Sequence, residues 1–292
     1  MIQLNHPDGR GPEDPTISRR AIGALFFAGY AAAAFSAASE PIHTDDAGLI
    51  TQAVALPERT IALPAYLARP ARPGRFPAVI VASEVFGVHE YIKDICRRLA
   101  KAGYVALAPA FFVRVADPAP LTDMQAVTKI VQQASDQQVL GDVGAAIGFL
   151  QRQAYVAPAR LAITGFCWGG GTTWLACEEF PQIKAGVAWY GRMVPPATGG
   201  DPARLWPSRR VAQLRAPVLG LYGAKDHLAD GIPAMRAALA AAHKNESEIV
   251  VYPDAGHGFH ADYRDSYNAA DAKDGWARML AFFQAHGVGT GA

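Results

Sequence analysis

The chain has 292 residues, of which 51% are hydrophobic and 18% charged, with a formal net charge of +1. That length and apolar content allow a sizeable core and exclude an intrinsically disordered chain. The near-zero charge excludes a basic surface built for nucleic acid or anionic lipid. Three cysteines, Cys96, Cys167 and Cys177, lack C-x-x-C spacing, so neither a disulfide scaffold nor a zinc knot is indicated.

Residues 1–38 have the form of a targeting segment. A polar stretch leads to Ser18-Arg19-Arg20, then to an apolar run from Ala21 to Tyr30 and four alanines. The run is shorter than the roughly 20 residues a comfortable membrane span needs. Paired arginines before a modest apolar run resemble a twin-arginine export signal, with Ser36-Ala37-Ala38 as a peptidase site. On this reading the mature protein is periplasmic or exported, with no stable membrane insertion once the signal is removed. The alternative is an uncleaved N-terminal helix on a cytoplasmic protein.

Residues 50–288 read as one catalytic domain in which short β-type runs alternate with longer amphipathic segments. Residues 60–67 read as a strand closed by Pro70 and Pro73, and 78–82 as a strand buried on both faces. Residues 92–102 have helical spacing and are stopped by Gly103; 104–108 form the next strand. Residues 124–153 are mostly helical with a break near Ser135. Strands at 161–164, 185–189, 218–222 and 249–252 follow, with helices after Gly165, at 232–244 and at 268–286. Alternation of this kind predicts an α/β fold, a mostly parallel central sheet with helices on both faces. Active sites in such sheets lie beyond the carboxyl ends of the strands.

The most informative stretch is Thr164-Gly165-Phe166-Cys167-Trp168-Gly169-Gly170, a G-x-C-x-G-G pattern between a strand and a helix. It has the form of a nucleophile elbow with cysteine in the usual serine position. The following helix directs N–H groups and the positive end of its dipole at the sulfur, favouring a thiolate. A buried cysteine in a Gly-rich connection is the plain alternative. Asp226 lies just past the 218–222 strand, and His257 lies in the Gly-flanked loop after the last strand. The order nucleophile, acid, histidine is that of α/β-hydrolases. His257 would take the thiol proton, and Asp226 would fix its tautomer. Asp230 and Asp254 are rivals for the acid, but neither ends a strand so directly.

The elbow, the Gly223-Ala224-Lys225-Asp226 turn, Ala255-Gly256-His257-Gly258-Phe259 and Ser83-Glu84-Val85-Phe86-Gly87-Val88 together resemble the dienelactone hydrolase family from about residue 50 to the C-terminus. The resemblance implies an α/β-hydrolase fold and a carboxymethylenebutenolidase-like hydrolase without metal or cofactor. It implies that Glu84 contacts the Cys167 thiol in the resting enzyme and that the N–H groups of Val85 and Trp168 form an oxyanion hole. It also implies a pair of arginines for a substrate carboxylate. Arg114 matches one; the other would fall three to four residues after His257, where His260 and Ala261 stand, with Arg264 as a neighbouring substitute. Ala110 replaces an acid usual in that strand-end motif.

Trp168, Phe112, Trp189, Tyr190 and His260 are candidates to line an aromatic pocket, so Arg114, Phe112, Tyr190 and His260 form the expected substrate-binding set. The expected partner is a small lactone or ester, cleaved through an acyl-thioester. The competing readings are an exported small-molecule binding protein on a hydrolase scaffold with little turnover, and a thiol redox role in which Cys177, ten residues from Cys167, would be a distant resolving thiol.

Overall fold

The computed structural model describes residues 40–57, 61–196 and 203–291. The expected targeting segment, 1–38, lies outside the described residues.

Eight strands form one sheet: β1 (Leu49–Pro57), β2 (Ala62–Pro70), β3 (Phe76–Ala82), β4 (Val105–Pro109), β5 (Val156–Phe166), β6 (Ile183–Trp189), β7 (Val218–Gly223) and β8 (Glu248–Tyr252). The spatial order is β1-β2-β4-β3-β5-β6-β7-β8. β1 with β2 and β2 with β4 are antiparallel; every other neighbouring pair is parallel. The helices are α1 (Glu90–Lys101), α2 (Met124–Gln133), α3 (Asp136–Gln151), α4 (Trp168–Glu179), α5 (Ile232–Ala241) and α6 (Ala269–Ala285).

The continuous apolar runs behave as strands covered on both faces should. All residues of β3, β4 and β7 are buried. Along β3, Ala78, Ile80 and Ala82 pack into the core shared with α2, α3, α4 and α5. Val79 and Val81 face the opposite core, shared with α1 and α6. This is the period-two alternation of a pleated strand, here apolar on both sides.

The helix boundaries follow from local chemistry. Asp123 caps α2 by accepting the Gln125 N–H at 2.9 Å, and Ser135 caps α3 by accepting that of Gln138 at 3.1 Å. The break expected near Ser135 is therefore a new N-cap. Gly103, at φ 94°, turns the chain from α1 into β4 in a conformation that side chains disfavour. Three differences stand out. β1 has no counterpart among the expected elements, β5 runs well upstream of 161–164, and α5 ends at Ala241 before 244. β1 is an edge strand made by pairing with β2, and its apolar run, Ala53-Val54-Ala55-Leu56, is short. Among the described residues no helix is long and apolar enough to cross a membrane.

Candidate active site

Parallel strands β5, β6 and β7 deliver Cys167, Tyr190 and Asp226 to the same end of the sheet, and the loop after β8 brings His257. Cys167 joins β5 to α4 with φ 54° and ψ −114°, a strained conformation for a residue with a side chain. The surroundings hold it there. Its N–H donates to the Trp189 carbonyl at 3.0 Å, and its carbonyl accepts from Gly170 at 3.0 Å. A Cβ on Gly165 would lie 2.1 Å from the Gly169 carbonyl oxygen, and one on Gly169 would lie 2.1 Å from that of Ala82. The elbow is thus pressed against the end of β3, where Ser83, Glu84 and Val85 follow. Trp168 is the first residue of α4, so its N–H is one of the helix's unbonded N-terminal donors.

Asp226 and His257 are joined by the packing of their loops. Gly223 abuts the Ala255 carbonyl, where a Cβ would sit 2.4 Å from the oxygen. The Lys225 N–H donates to the same carbonyl at 2.9 Å. His257 Nδ1 then lies 2.7 Å from Asp226 Oδ2. Asp226 Oδ1 accepts the Leu228 N–H at 3.0 Å and has His227 Nδ1 at 3.2 Å. Burial alone would raise the Asp226 carboxyl, but these bonds hold it below the usual carboxylate value. Asp254 is on the surface, paired with Lys225 at 3.1 Å, and Asp230 is exposed.

With Nδ1 on Asp226, the imidazole is left with Nε2 for a second partner, and Cys167 is close enough to raise its pKa. Burial opposes the charged imidazole, yet the bond to Asp226 and the nearby Cys167 sulfur push its pKa up to about 10. The structure therefore brings Cys167, His257 and Asp226 into one connected array. Cys167 is partly accessible, whereas Cys96 and Cys177 are buried and burial pushes their thiols far up. A Cβ on Gly186 would lie 2.5 Å from the Cys177 sulfur, so that thiol is sealed under β6. This geometry gives the redox reading no support.

Glu84 is in place, but its company differs from expectation. Its carboxylate is fully buried and accepts a hydrogen bond from the Tyr263 hydroxyl. His89 Nε2 lies 3.3 Å from Oε2, and Arg264 Nη2 lies 3.2 Å from Oε1. Burial pushes the carboxyl up, but Arg264, His89 and Tyr263 overcome it and hold it at about 2. Among the described residues its partners are these three, not the Cys167 thiol, which corrects the expected resting contact. His89 and Tyr263 escaped the sequence reading. His89 follows the quoted 83–88 stretch directly, and its polarity beside a strand end is the one signal that could have marked it. Val85 is partly buried beside Phe86.

The expected substrate-binding set needs correction. Arg114 grips the fully buried Asp142 of α3 with both terminal nitrogens, Nη1 to Oδ2 at 2.8 Å and Nη2 to Oδ1 at 2.7 Å. His260 is 2% exposed, its Nδ1 lies 2.7 Å from the Tyr91 hydroxyl, and its ring stacks on Trp276 of α6. Burial and Arg98 push it down to about 3, so it is a neutral core residue. Phe112, 1% exposed, stands edge-on to Trp168 at 4.9 Å and supports that indole from behind. Trp189 is buried and donates to the Thr164 hydroxyl at 3.1 Å. Tyr190 is sealed from solvent at φ 38°, with its ring edge-on to His257 at 5.2 Å. It braces the imidazole. Of the aromatic candidates, Trp168 is the one that is partly open.

A model of the dienelactone hydrolase family matches residues 63–287. The chain is 48% identical over 284 residues to a protein of Methylorubrum extorquens named “Putative carboxymethylenebutenolidase”, covering 94% of each chain. It is 44% identical to a protein of the same name from Escherichia coli strain K12, covering 89% of this chain and 96% of the other. The crystal structure of “Putative Dienelactone Hydrolase” from Klebsiella pneumoniae superposes with a TM-score of 0.76 at 46% identity, over 81% of this chain and 98% of that one. The architecture is the α/β-hydrolase fold. The chain belongs to the dienelactone hydrolase family and is a hydrolase of that type.

Proposed function

We propose that the protein cleaves lactones or small esters with Cys167, His257 and Asp226 as a catalytic triad, through an acyl-thioester. The observation that carries this reading is the array itself: a partly accessible sulfur on a strained elbow, beside an imidazole whose Nδ1 lies 2.7 Å from a buried carboxylate.

His257 holds the proton lost by Cys167, as its raised pKa favours, and the thiolate adds to the substrate carbonyl carbon. The oxyanion is held by the N–H groups of Val85 and Trp168, the second aided by the α4 dipole. Collapse reforms the carbonyl and breaks the C–O bond. The departing oxygen takes the proton from His257. For a lactone the alcohol or enol so formed stays tethered to the acyl-enzyme. Water then gives a proton to His257 and adds to the thioester carbonyl. The thiolate leaves, and the carboxylic acid is released. Asp226 fixes the imidazole tautomer and stabilises its charged form throughout.

Purified Cys167→Ala protein assayed on lactones and p-nitrophenyl esters tests this. The reading requires loss of turnover; wild-type rates in that variant would refute it.

We further propose export, on the strength of Arg19-Arg20 and the short apolar run after them. Fractionation of cells expressing wild type and Arg19→Lys/Arg20→Lys should show the wild type outside the cytoplasm and the variant retained. Equal retention of both would end this proposal.

A further inference from the structure

We infer that residues 44–47 form a strap whose docking on α1 sets the position of His257, with Thr44, Asp94, Arg98 and Asp262 as the positioning residues. This deepens the thiol-triad reading above and rests on it.

The strap belongs to no helix or strand and is mostly exposed, yet it is tied to α1 along its length. The Thr44 N–H donates to Asp94 Oδ1 at 2.6 Å, and the Thr44 hydroxyl donates to Oδ2 at 3.3 Å. The Thr44 carbonyl accepts from Arg97 Nε at 2.7 Å. Further along, Lys101 Nζ donates to Asp45 Oδ1 at 2.5 Å and to the Ala47 carbonyl at 2.7 Å. Thr44 thus meets the helix through both backbone groups and its side chain, which is how an irregular segment outside the sheet is held in place.

Asp94 passes this contact inward. It is buried, and its Oδ2 also accepts from Arg98 Nε at 2.5 Å. Arg98 Nη2 donates in turn to Oδ2 of the buried Asp262 at 2.5 Å. Asp262 lies five residues after His257 in the same loop. Two tight turns leave little slack between them: the Ala261 N–H donates to the Gly258 carbonyl at 2.9 Å, and the Arg264 N–H to the Ala261 carbonyl at 3.0 Å. Tyr91, also on α1, holds the loop at a second point, with its hydroxyl 2.7 Å from His260 Nδ1. Asp226 fixes the imidazole at one nitrogen, and α1 fixes the loop that carries it.

The charges explain why the strap matters to this chain of contacts. Three acids, Glu90, Asp94 and Asp262, share the two guanidinium groups of Arg97 and Arg98. The neutral N–H and hydroxyl of Thr44 make up the donors that Asp94 would otherwise lack. A buried carboxylate that loses donors draws harder on those that remain. At Oδ2 the remaining donor is Arg98, which cannot move toward Asp94 without drawing away from Asp262.

The test uses the full chain carrying Thr44→Pro or Thr44→Ala. Proline has no N–H to give Asp94, whereas alanine keeps it and loses only the longer hydroxyl contact. On a p-nitrophenyl ester Thr44→Pro should lower kcat about tenfold or more, the scale of a small misplacement of a reacting group, with KM changed less than about twofold. Thr44→Ala should stay within about twofold of wild type in both constants. Hydrogen exchange in Thr44→Pro should quicken at 44–47 and at 258–264, while β3 and β5 keep wild-type protection. Asp262→Ala probes the chain from its other end and leaves Arg98 paired with Asp94. It should show the same kcat loss and faster exchange at 44–47, and it carries the test if the proline variant does not fold. Faster exchange confined to the mutated end, or wild-type kcat with 258–264 loosened, overturns the inference. Cys167→Ala, run alongside, separates the two readings. Turnover that persists there overturns the triad, whereas Cys167-dependent turnover indifferent to Thr44→Pro and Asp262→Ala overturns the strap alone.

Discussion

Glu84 and Arg264 meet inside the molecule, Oε1 to Nη2 at 3.2 Å, and so tie the end of β3 to the loop that carries His257. The pair fixes one wall of the site relative to the other. Removing the cation leaves a fully buried carboxylate, so Arg264→Met should destabilise the fold by about 3–5 kcal/mol. Urea unfolding near neutral pH measures it. The depressed Glu84 carboxyl adds stability that is present above its ordinary value of 4.5 and is lost as pH falls toward about 2. Arg264→Met should flatten that acid limb. A variant with wild-type stability would show that the pair is dispensable.

His257 has the opposite sign. Its pKa is raised from 6.5 to about 10 by Asp226 and Cys167 against the effect of burial. The stability it adds is full below 6.5 and is lost as pH rises through 10. Asp226→Asn removes the acid, so the wild type's stability advantage over it should fade across that alkaline window. Turnover should fall on the order of 10⁴-fold, the scale seen when an amide replaces the orienting acid of a triad. Steady-state kinetics beside pH-dependent unfolding gives both readouts.

Gly169→Ala tests the elbow as a packing solution. The added Cβ would lie 2.1 Å from the Ala82 carbonyl oxygen and 2.6 Å from its carbon, both backbone atoms. The elbow must then lift away from β3. The expected destabilisation is about 1–3 kcal/mol or more, with loss of turnover beyond what instability explains. Denaturation midpoints and assays well below the melting temperature distinguish the two effects.

Glu178, on the helix that carries the elbow, is buried with one acidic oxygen 3.1 Å from Arg210 Nε and the other without a hydrogen-bond partner among the described residues. Burial outweighs Arg210 and pushes its carboxyl from 4.5 up to about 8. The protonated form is therefore favoured in the fold, and its contribution is full below 4.5 and lost as pH rises through 8. Glu178→Gln should gain on the wild type in unfolding free energy as pH rises across that range. A constant difference would contradict the assignment.

Much of the fold was legible because parallel strands buried on both faces are continuous apolar runs, and the caps at Ser135 and Gly103 are local chemistry. The proposed triad was legible because each member lies just past a strand end, so spacing along the chain reports position in space. The surroundings were not. That Glu84 would meet Tyr263 and Arg264, or Arg114 would meet Asp142, depends on partners far away in sequence whose apposition is set by the packed sheet and helices. His260 reads as a pocket residue by its nearness to His257, but the Gly258 turn at φ 77° and the tight 258–261 turn bury it beneath α6. Motifs carry chemistry that is local to a strand end, and burial decides which charged side chains are already taken.

The thiol mechanism requires Cys167 to become covalently acylated during turnover. Rapid acid quench of the enzyme with a p-nitrophenyl ester, followed by intact-mass and peptide mass spectrometry, measures this directly. One acyl adduct per chain is expected on the peptide containing Cys167, labile to hydroxylamine and absent from Cys167→Ala. Steady turnover with no adduct at that cysteine under conditions that trap thioesters, or an adduct on another residue, would contradict it.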